Sequence, residues 1–359
     1  MLPVNGLPTM RPVYVAGVAA VTALGFDWRG LGEALQRGAA AFSPSLQLAA
    51  SHGAVAASEV PSIPAQIDVD GRARKLMSHP ARLAAVALRL ALQDAAWPPA
   101  VRQELAFYLG VGASGASMTE LTAMLDASIK DHEFSLPLFG KDGLAACNPL
   151  FAFQLMNNFT LCHGAILNDT GGPNSAFYSR GTGTVAALAE ALWLVESSEC
   201  DYAVAGGADS ALHPVTYAQL DSAIDAVPGE GAGMLALSGQ RDGALAVLRA
   251  AVFHSARAWQ RDAQLVRRLL REAGAVDSII LASSNAAANA RLRDDVRAVF
   301  AHATIVDVCA GLGEALAATP ALAWCAAIDL LRHGRCCDAA VLSAGPDGGI
   351  GMTVLRSCP

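Results

Sequence analysis

Two stretches decide the fold: DYAVAGGAD at Asp201–Asp209 and DAAVLSAGPD at Asp338–Asp347. Each is preceded by a cysteine, Cys200 or Cys337, and each follows an apolar stretch patterned as a helix. The chain therefore reads as a duplication, its halves offset by about 137 residues (338 − 201). The helix before each strand starts at punctuation, Gly181 to Thr184 in one half and Thr319-Pro320 in the other. There Thr can cap and Pro can sit at the first helical position. Two equivalent helix starts then face one central site, where free N–H groups and the dipole would stabilise a thiolate or an oxyanion.

Outward from these strands, short runs rich in Val, Ile and Ala alternate with helical patterns: Val13–Val21, Leu105–Ser114, Ala244–Phe253, Ser278–Asn285 and Ala303–Val308. This alternation means α/β layering. Between Ala81 and Trp97 the polar side chains are mainly Arg82, Arg89, Gln93 and Asp94, one narrow stripe, and Glu190 alone interrupts Thr184–Val195. A helix apolar nearly all round must be covered on most sides, so some helices lie between two sheets. The 359 residues, 53% hydrophobic, supply a large core, and 33 glycines predict many tight turns.

Charged residues interrupt every long apolar run, the stretch between Glu314 and Asp329 is too short to span a bilayer, and Met1–Met10 lacks the pattern of a secretory signal, which predicts a cytoplasmic protein. Eight cysteines without CxxC or Cys/His spacing predict reduced, mostly buried thiols and no metal site. No cofactor is implied. A net charge of −7 argues against nucleic acid as a partner. The one basic cluster, Arg257, Arg261, Arg267, Arg268 and Arg271 on a helix, is either a solvated face or a docking face for an acidic carrier protein.

Several segments, in order, resemble the ketoacyl synthase branch of the thiolase-fold superfamily. They are Val15–Gly25 (VAGVAAVTALG), Arg82–Trp97, Gly110–Ser114 (GVGAS), Gly172-Pro173-Asn174, Ala205–Asp209 (AGGAD) with Pro214, Pro228–Gly233 (PGEGAG), Val276-Asp277 and Leu331–Gly334 (LRHG). The resemblance spans essentially the whole chain. It implies a thiolase-like α/β fold of five layers, αβαβα, built from two pseudo-repeats, at residues 12–224 and 225–356 of one compact unit.

The same motifs locate the family's catalytic positions. Counted from both flanking motifs, the nucleophilic cysteine falls on Gly181. The first histidine falls on Ala282, the second on Glu314, and the nearby lysine becomes Cys309. The glycine-rich loop near the C-terminus reads Gly345-Pro346-Asp347-Gly348-Gly349, without the family's phenylalanine. Condensation needs a thiolate for the acyl chain, two imidazoles for decarboxylation and N–H donors for the oxyanion. Nucleophile, imidazoles and lysine are all missing, and Glu314 would put negative charge where an enolate develops. Compared with the family, the segments before PGEGAG and between Ala251 and Val276 are also shortened, which implies a reduced acyl site.

The resemblance thus implies a non-catalytic subunit similar to a chain-length factor. It would pair with an active ketosynthase and its acyl carrier protein in polyketide, aryl polyene or fatty-acid-type chain elongation. Pairing would use the strand Ser175, Ala176, Phe177, Tyr178 and Ser179, and Arg180 would pair with Glu314 as a plug. The alternatives are an acyltransferase with an unconventional nucleophile (Cys162 beside His163, or Ser179, Ser283 or Ser284) and a self-associating scaffold.

Overall fold

The computed structural model describes residues 10–113, 115–220 and 225–358. Ten strands build the frame: β1 Val13–Val21, β2 Ala106–Val111, β3 Asn174–Tyr178, β4 Tyr202–Ser210, β5 Glu230–Ser238, β6 Ala246–His254, β7 Ser278–Ser283, β8 Thr304–Asp307, β9 Asp338–Ala344 and β10 Ile350–Ser357. Their order is β3-β2-β4-β5-β1-β6-β10-β9-β7-β8. The two sets of five are equivalent. In each, the second strand runs parallel to the third and fourth, and the fifth is antiparallel to the fourth and the first. Among the described strands, Val13, Tyr14 and Val15 of β1, paired with Ala246–Leu248 of β6, join the sets.

Seven helices fill the layers: α1 His79–Ala95, α2 Phe159–Leu167, α3 Thr182–Glu196, α4 Ala256–Arg261, α5 Leu265–Ala273, α6 Ala286–Val299 and α7 Thr319–Arg332. The α3 helix touches β2 and β4 of one set and β6 and β10 of the other, while α7 lies against β5 as well as β7 and β9. Both are sandwiched, as their nearly continuous apolar sequences require. Every residue of α7 from Thr319 to Leu331 is buried, Trp324 completely. α1 and α2 cover the outer face of the first set, and α5 and α6 that of the second. The layering is αβαβα, as expected.

The strand pairing places β5 in the first set, between β1 and β4. We therefore propose that the repeats divide between Ser238 and Ala246 instead of at the expected 224/225, a boundary that touches residues 221–224 outside the described ones. β5 and β10 carry no strand signal in the expectations above, and β5 shows why. Its EGAGMLALS is poor in β-branched residues because α7 lies directly on it: a Cβ on Gly233 would stand 2.7 Å from the Ala321 carbonyl carbon. On β10, a Cβ on Gly351 would meet Val185 of α3 at 2.6 Å. Glycines such as Gly233 and Gly351 thus serve close helix-to-sheet approach, in addition to the ten described glycines with positive φ at turns, loops and helix ends.

The thiols are less buried than expected. Cys309, Cys325 and Cys336 are buried, Cys337 is exposed and the other four are half-buried; all eight are free. No helix of the described residues is long and apolar enough to cross a membrane.

Candidate functional site

The starts of α3 and α7 converge. Thr184 Oγ1 donates to the carbonyl of Ala317, just before α7, at 2.5 Å. Neither threonine caps as expected. Gly181 occupies the cap position of α3 without a side chain, and Ser179 Oγ accepts from Gly183 N at 2.5 Å. Thr319 Oγ1 accepts from Ala315 N at 2.9 Å and donates to Glu314 Oε1 at 2.6 Å.

At Gly181 the backbone itself closes the space. Its φ of 149° lies where L side chains are strained, and a Cβ there would stand 2.9 Å from Gly345 Cα. Gly345 is pressed in turn against the carbonyl of Arg180, and a Cβ on Gly349 would collide with Thr182 Cγ2 at 2.5 Å. The loop Gly345–Gly349 holds its shape through Gly348 N to Gly345 O at 2.8 Å and Gly349 N to Asp347 Oδ1 at 3.1 Å. Gly181 offers no side chain, and a neighbouring loop lies over the place where one would project.

Ala282 sits at the end of β7, 2% exposed, and Val308 N donates to the carbonyl of Leu281 beside it. Cys309 follows, wholly buried, and burial together with the charges of Glu314 and Asp307 pushes its thiol well above the ordinary value. Its thiolate form is disfavoured there. A cavity of about 330 Å³ runs along Ser283, Ser284, Cys309 and Phe42.

Glu314 is 1% exposed and accepts from Leu316 N at 2.7 Å as well as from Thr319. Burial, reinforced by Asp347, raises its pKa. The expected plug pair does not form. Arg180 donates to Gln219 Oε1 at 2.9 Å, and among the described residues no ion pair joins it to Glu314. The buried hydroxyl and amide partners satisfy Glu314 without a cation.

A second carboxyl was missed. Asp209, fully buried at the end of AGGAD, accepts from Ser210 N at 2.8 Å and Ala317 N at 3.3 Å. Burial pushes it up to about 8, with a smaller push from Glu314 opposed by its two backbone donors and by Arg180. The signal was in the sequence: a single carboxylate closing an otherwise apolar strand.

The family model for the beta-ketoacyl synthase N-terminal domain matches residues 10–227. The chain belongs to the beta-ketoacyl synthase family. Solved structures agree on the fold. This synthase-family chain is similar, at 18% identity and a TM-score of 0.78 over 98% of its length and 100% of the other chain, to the ishigamide ketosynthase/chain length factor. It is similar at 16% identity and TM-score 0.80, with coverages of 98% and 100%, to a beta-ketoacyl synthase from Burkholderia phymatum STM815. A third likeness, at 12% identity and TM-score 0.75 with coverages of 97% and 100%, is to AntDE:AntF, a type II PKS acyl-carrier protein in complex with its ketosynthase bound to the hexaketide.

Within this synthase scaffold, Cys162 and His163 do not form a pair, and Ser283 and Ser284 lie buried on the wall of the cavity beside Cys309. Cys162 packs toward the outer core under α1, whereas His163 lies beside Phe159, ring centroids 5.8 Å apart. Ser179 caps a helix start. His213 Nε2 bonds the carbonyl of Ala116 at 2.7 Å, and His333 sits by Asp329 at the end of α7. The two carboxyls at the centre, Asp209 and Glu314, are buried.

The expected pairing strand is β3, at the outer edge of the sheet and hydrogen-bonded only to β2 among the described residues. Ser175 and Tyr178 are exposed, Tyr178 by 58%, while Ala176 and Phe177 are half-buried, Phe177 against Tyr108. Of the eighteen exposed large apolar side chains among the described residues, twelve lie between Met118 and Trp193, the stretch of sequence that contains this strand. That density exceeds what scattered surface apolar residues account for.

Proposed function

We propose that the chain is a non-catalytic, chain-length-factor-like subunit that pairs with an active ketosynthase and, with it, receives acyl groups from a carrier protein during polyketide or fatty-acid-type elongation. The observation that carries this reading is the centre itself: a ketosynthase scaffold with glycine at the nucleophile position, packed against Gly345, and alanine and a buried glutamate at the histidine positions. Losing every member of a catalytic set that acts as a unit removes the mechanism, not a fraction of it.

Pairing through β3 is supported by its free edge and by the exposed Tyr178 on it, which an obligate partner of the same fold would cover. A solved relative described as a ketosynthase/chain length factor and another described with an acyl-carrier protein support the choice of partners. Eight free thiols suit a reducing, cytoplasmic setting.

Co-expression with a ketosynthase from the same gene neighbourhood tests the reading. A one-to-one complex that elongates malonyl units, with neither subunit elongating alone, is the expected result. A homodimer of this chain that elongates by itself would contradict it.

A further inference from the structure

We infer that the outward face of α3 beside β3, bearing Ala189, Glu190 and Trp193, seats a partner of the same fold that brings a cationic side chain to Glu190. The same carboxylate keeps a second copy of this chain out. The internal repeat shows what such a face is for. The first residues of α3 and α7, Thr182 and Thr319, are 137 residues apart (319 − 182), the same offset as between the strands at Asp201 and Asp338 (338 − 201). Ala189, Glu190 and Trp193 therefore correspond to Ala326, Ala327 and Leu330 of α7.

In the second half the chain covers these positions itself. A short helix, Leu31–Gln36, lies on α7 and on the edge strand β8. Its Gly32 packs directly on them: a Cβ there would collide with the Ala326 carbonyl and stand 2.9 Å from Leu330 Cγ. Ala326, Ala327 and Leu330 are fully buried. The one carboxylate of α7, Asp329, accepts from Gly30 N at 2.6 Å and from Glu33 N at 3.1 Å, at the start of the covering helix.

In the first half the matching face is bare. Ala189 is half-buried, Glu190 is exposed and Trp193 is 50% exposed. Glu190 is the one charge between Thr184 and Val195, and among the described residues its carboxylate joins no ion pair. Burial and the nearby Glu190 hold the Tyr108 hydroxyl above its ordinary value, and Tyr108 lies opposite Ser175, next to the middle of β3. A second copy added at the free edge of β3 about a twofold axis would run antiparallel to it, with the axis near Ala176, and would carry its own Glu190 toward the first. Two carboxylates desolvated together repel, whereas a cation opposite Glu190 replaces the water that is lost. The partner's being a ketosynthase rests on the function proposed above; the exclusion of a second copy rests on the geometry of this chain.

Sedimentation equilibrium of the full chain, with charge swaps at the exposed Glu190, is the test. Wild type alone and Glu190→Lys alone are expected to sediment as monomers. Their equimolar mixture should form a one-to-one dimer, with affinity at least about tenfold above that of either protein for itself. Glu272→Lys, the same charge change at an exposed position on α5, should stay monomeric when mixed with wild type. Trp193→Asp on one member of the swapped mixture should remove the dimer. Matching melting temperatures exclude misfolding. A stable wild-type homodimer overturns the proposal, as does a swapped mixture that stays monomeric or one that ignores Trp193→Asp. Ketosynthase pairing is read separately by co-purification, where Glu190→Lys should lose at least about tenfold in affinity; unchanged affinity also overturns the proposal. If no ketosynthase binds the wild type while the swapped mixture dimerises, the function proposed above fails and this inference stands.

Discussion

Tyr178→Asp is expected to separate this chain from the ketosynthase proposed as its partner. Tyr178 lies at the end of β3, 58% exposed in the single chain and opposite Val111 of β2, so a partner strand added at the free edge covers it. An aspartate there becomes an unpaired charge buried in an apolar interface, a cost of roughly 3–5 kcal/mol. Affinity is then expected to fall by a factor of several hundred or more. Sedimentation of the mixed subunits reads the loss directly, and elongation should vanish with it. Tyr178→Phe keeps the apolar contact and should pair normally. If Tyr178→Asp associates unchanged, β3 is not in the interface.

The second large effect is of pH on stability. Asp209 is held at about 8 in the folded chain against an ordinary carboxylate value of 3.8 in the unfolded one. Folding therefore favours the protonated group. Its stabilising contribution is complete below about pH 4 and is lost as pH rises through about 8. At about 1.4 kcal/mol per pH unit, that span corresponds to several kcal/mol. Glu314, also raised by burial, acts in the same sense. Urea unfolding at pH 5 and pH 8.5 should show the wild type losing stability relative to Asp209→Asn, which has no proton to release. A constant difference between the two proteins would show that Asp209 titrates normally.

These carboxyls mark where the sequence was and was not legible. The layering was legible in part: α3, apolar on nearly every side, does lie between the two sets, whereas α1, read from a similar narrow polar stripe, covers the outer face of the first set with α2. The matched strands at Asp201 and Asp338 then supplied the twofold repeat. β5 was not legible, because its glycines answer to Ala321 on α7, a contact invisible to a residue-by-residue propensity. Gly181 was found by counting from its flanking motifs, but its backbone angle and the approach of Gly345 are tertiary facts. The Arg180–Glu314 plug failed because sequence shows which charges are present and not how each is satisfied. Thr319 and Leu316 N serve Glu314, and Gln219 takes the arginine. Asp209 was read only as a landmark of AGGAD, although its place at the end of an apolar strand carried the burial signal.

The centre makes one demand above all others, that this chain never carry an acyl group. Intact-mass measurement after incubation with acyl- and malonyl-loaded carrier protein tests it. The expected mass is that of the unmodified chain, for the wild type and also for Gly181→Cys, whose new thiol would meet both the strained backbone and the Gly345 loop. An acyl adduct on the wild-type chain, mapped by peptide fragmentation to any side chain near the starts of α3 and α7, would contradict a chemically empty centre.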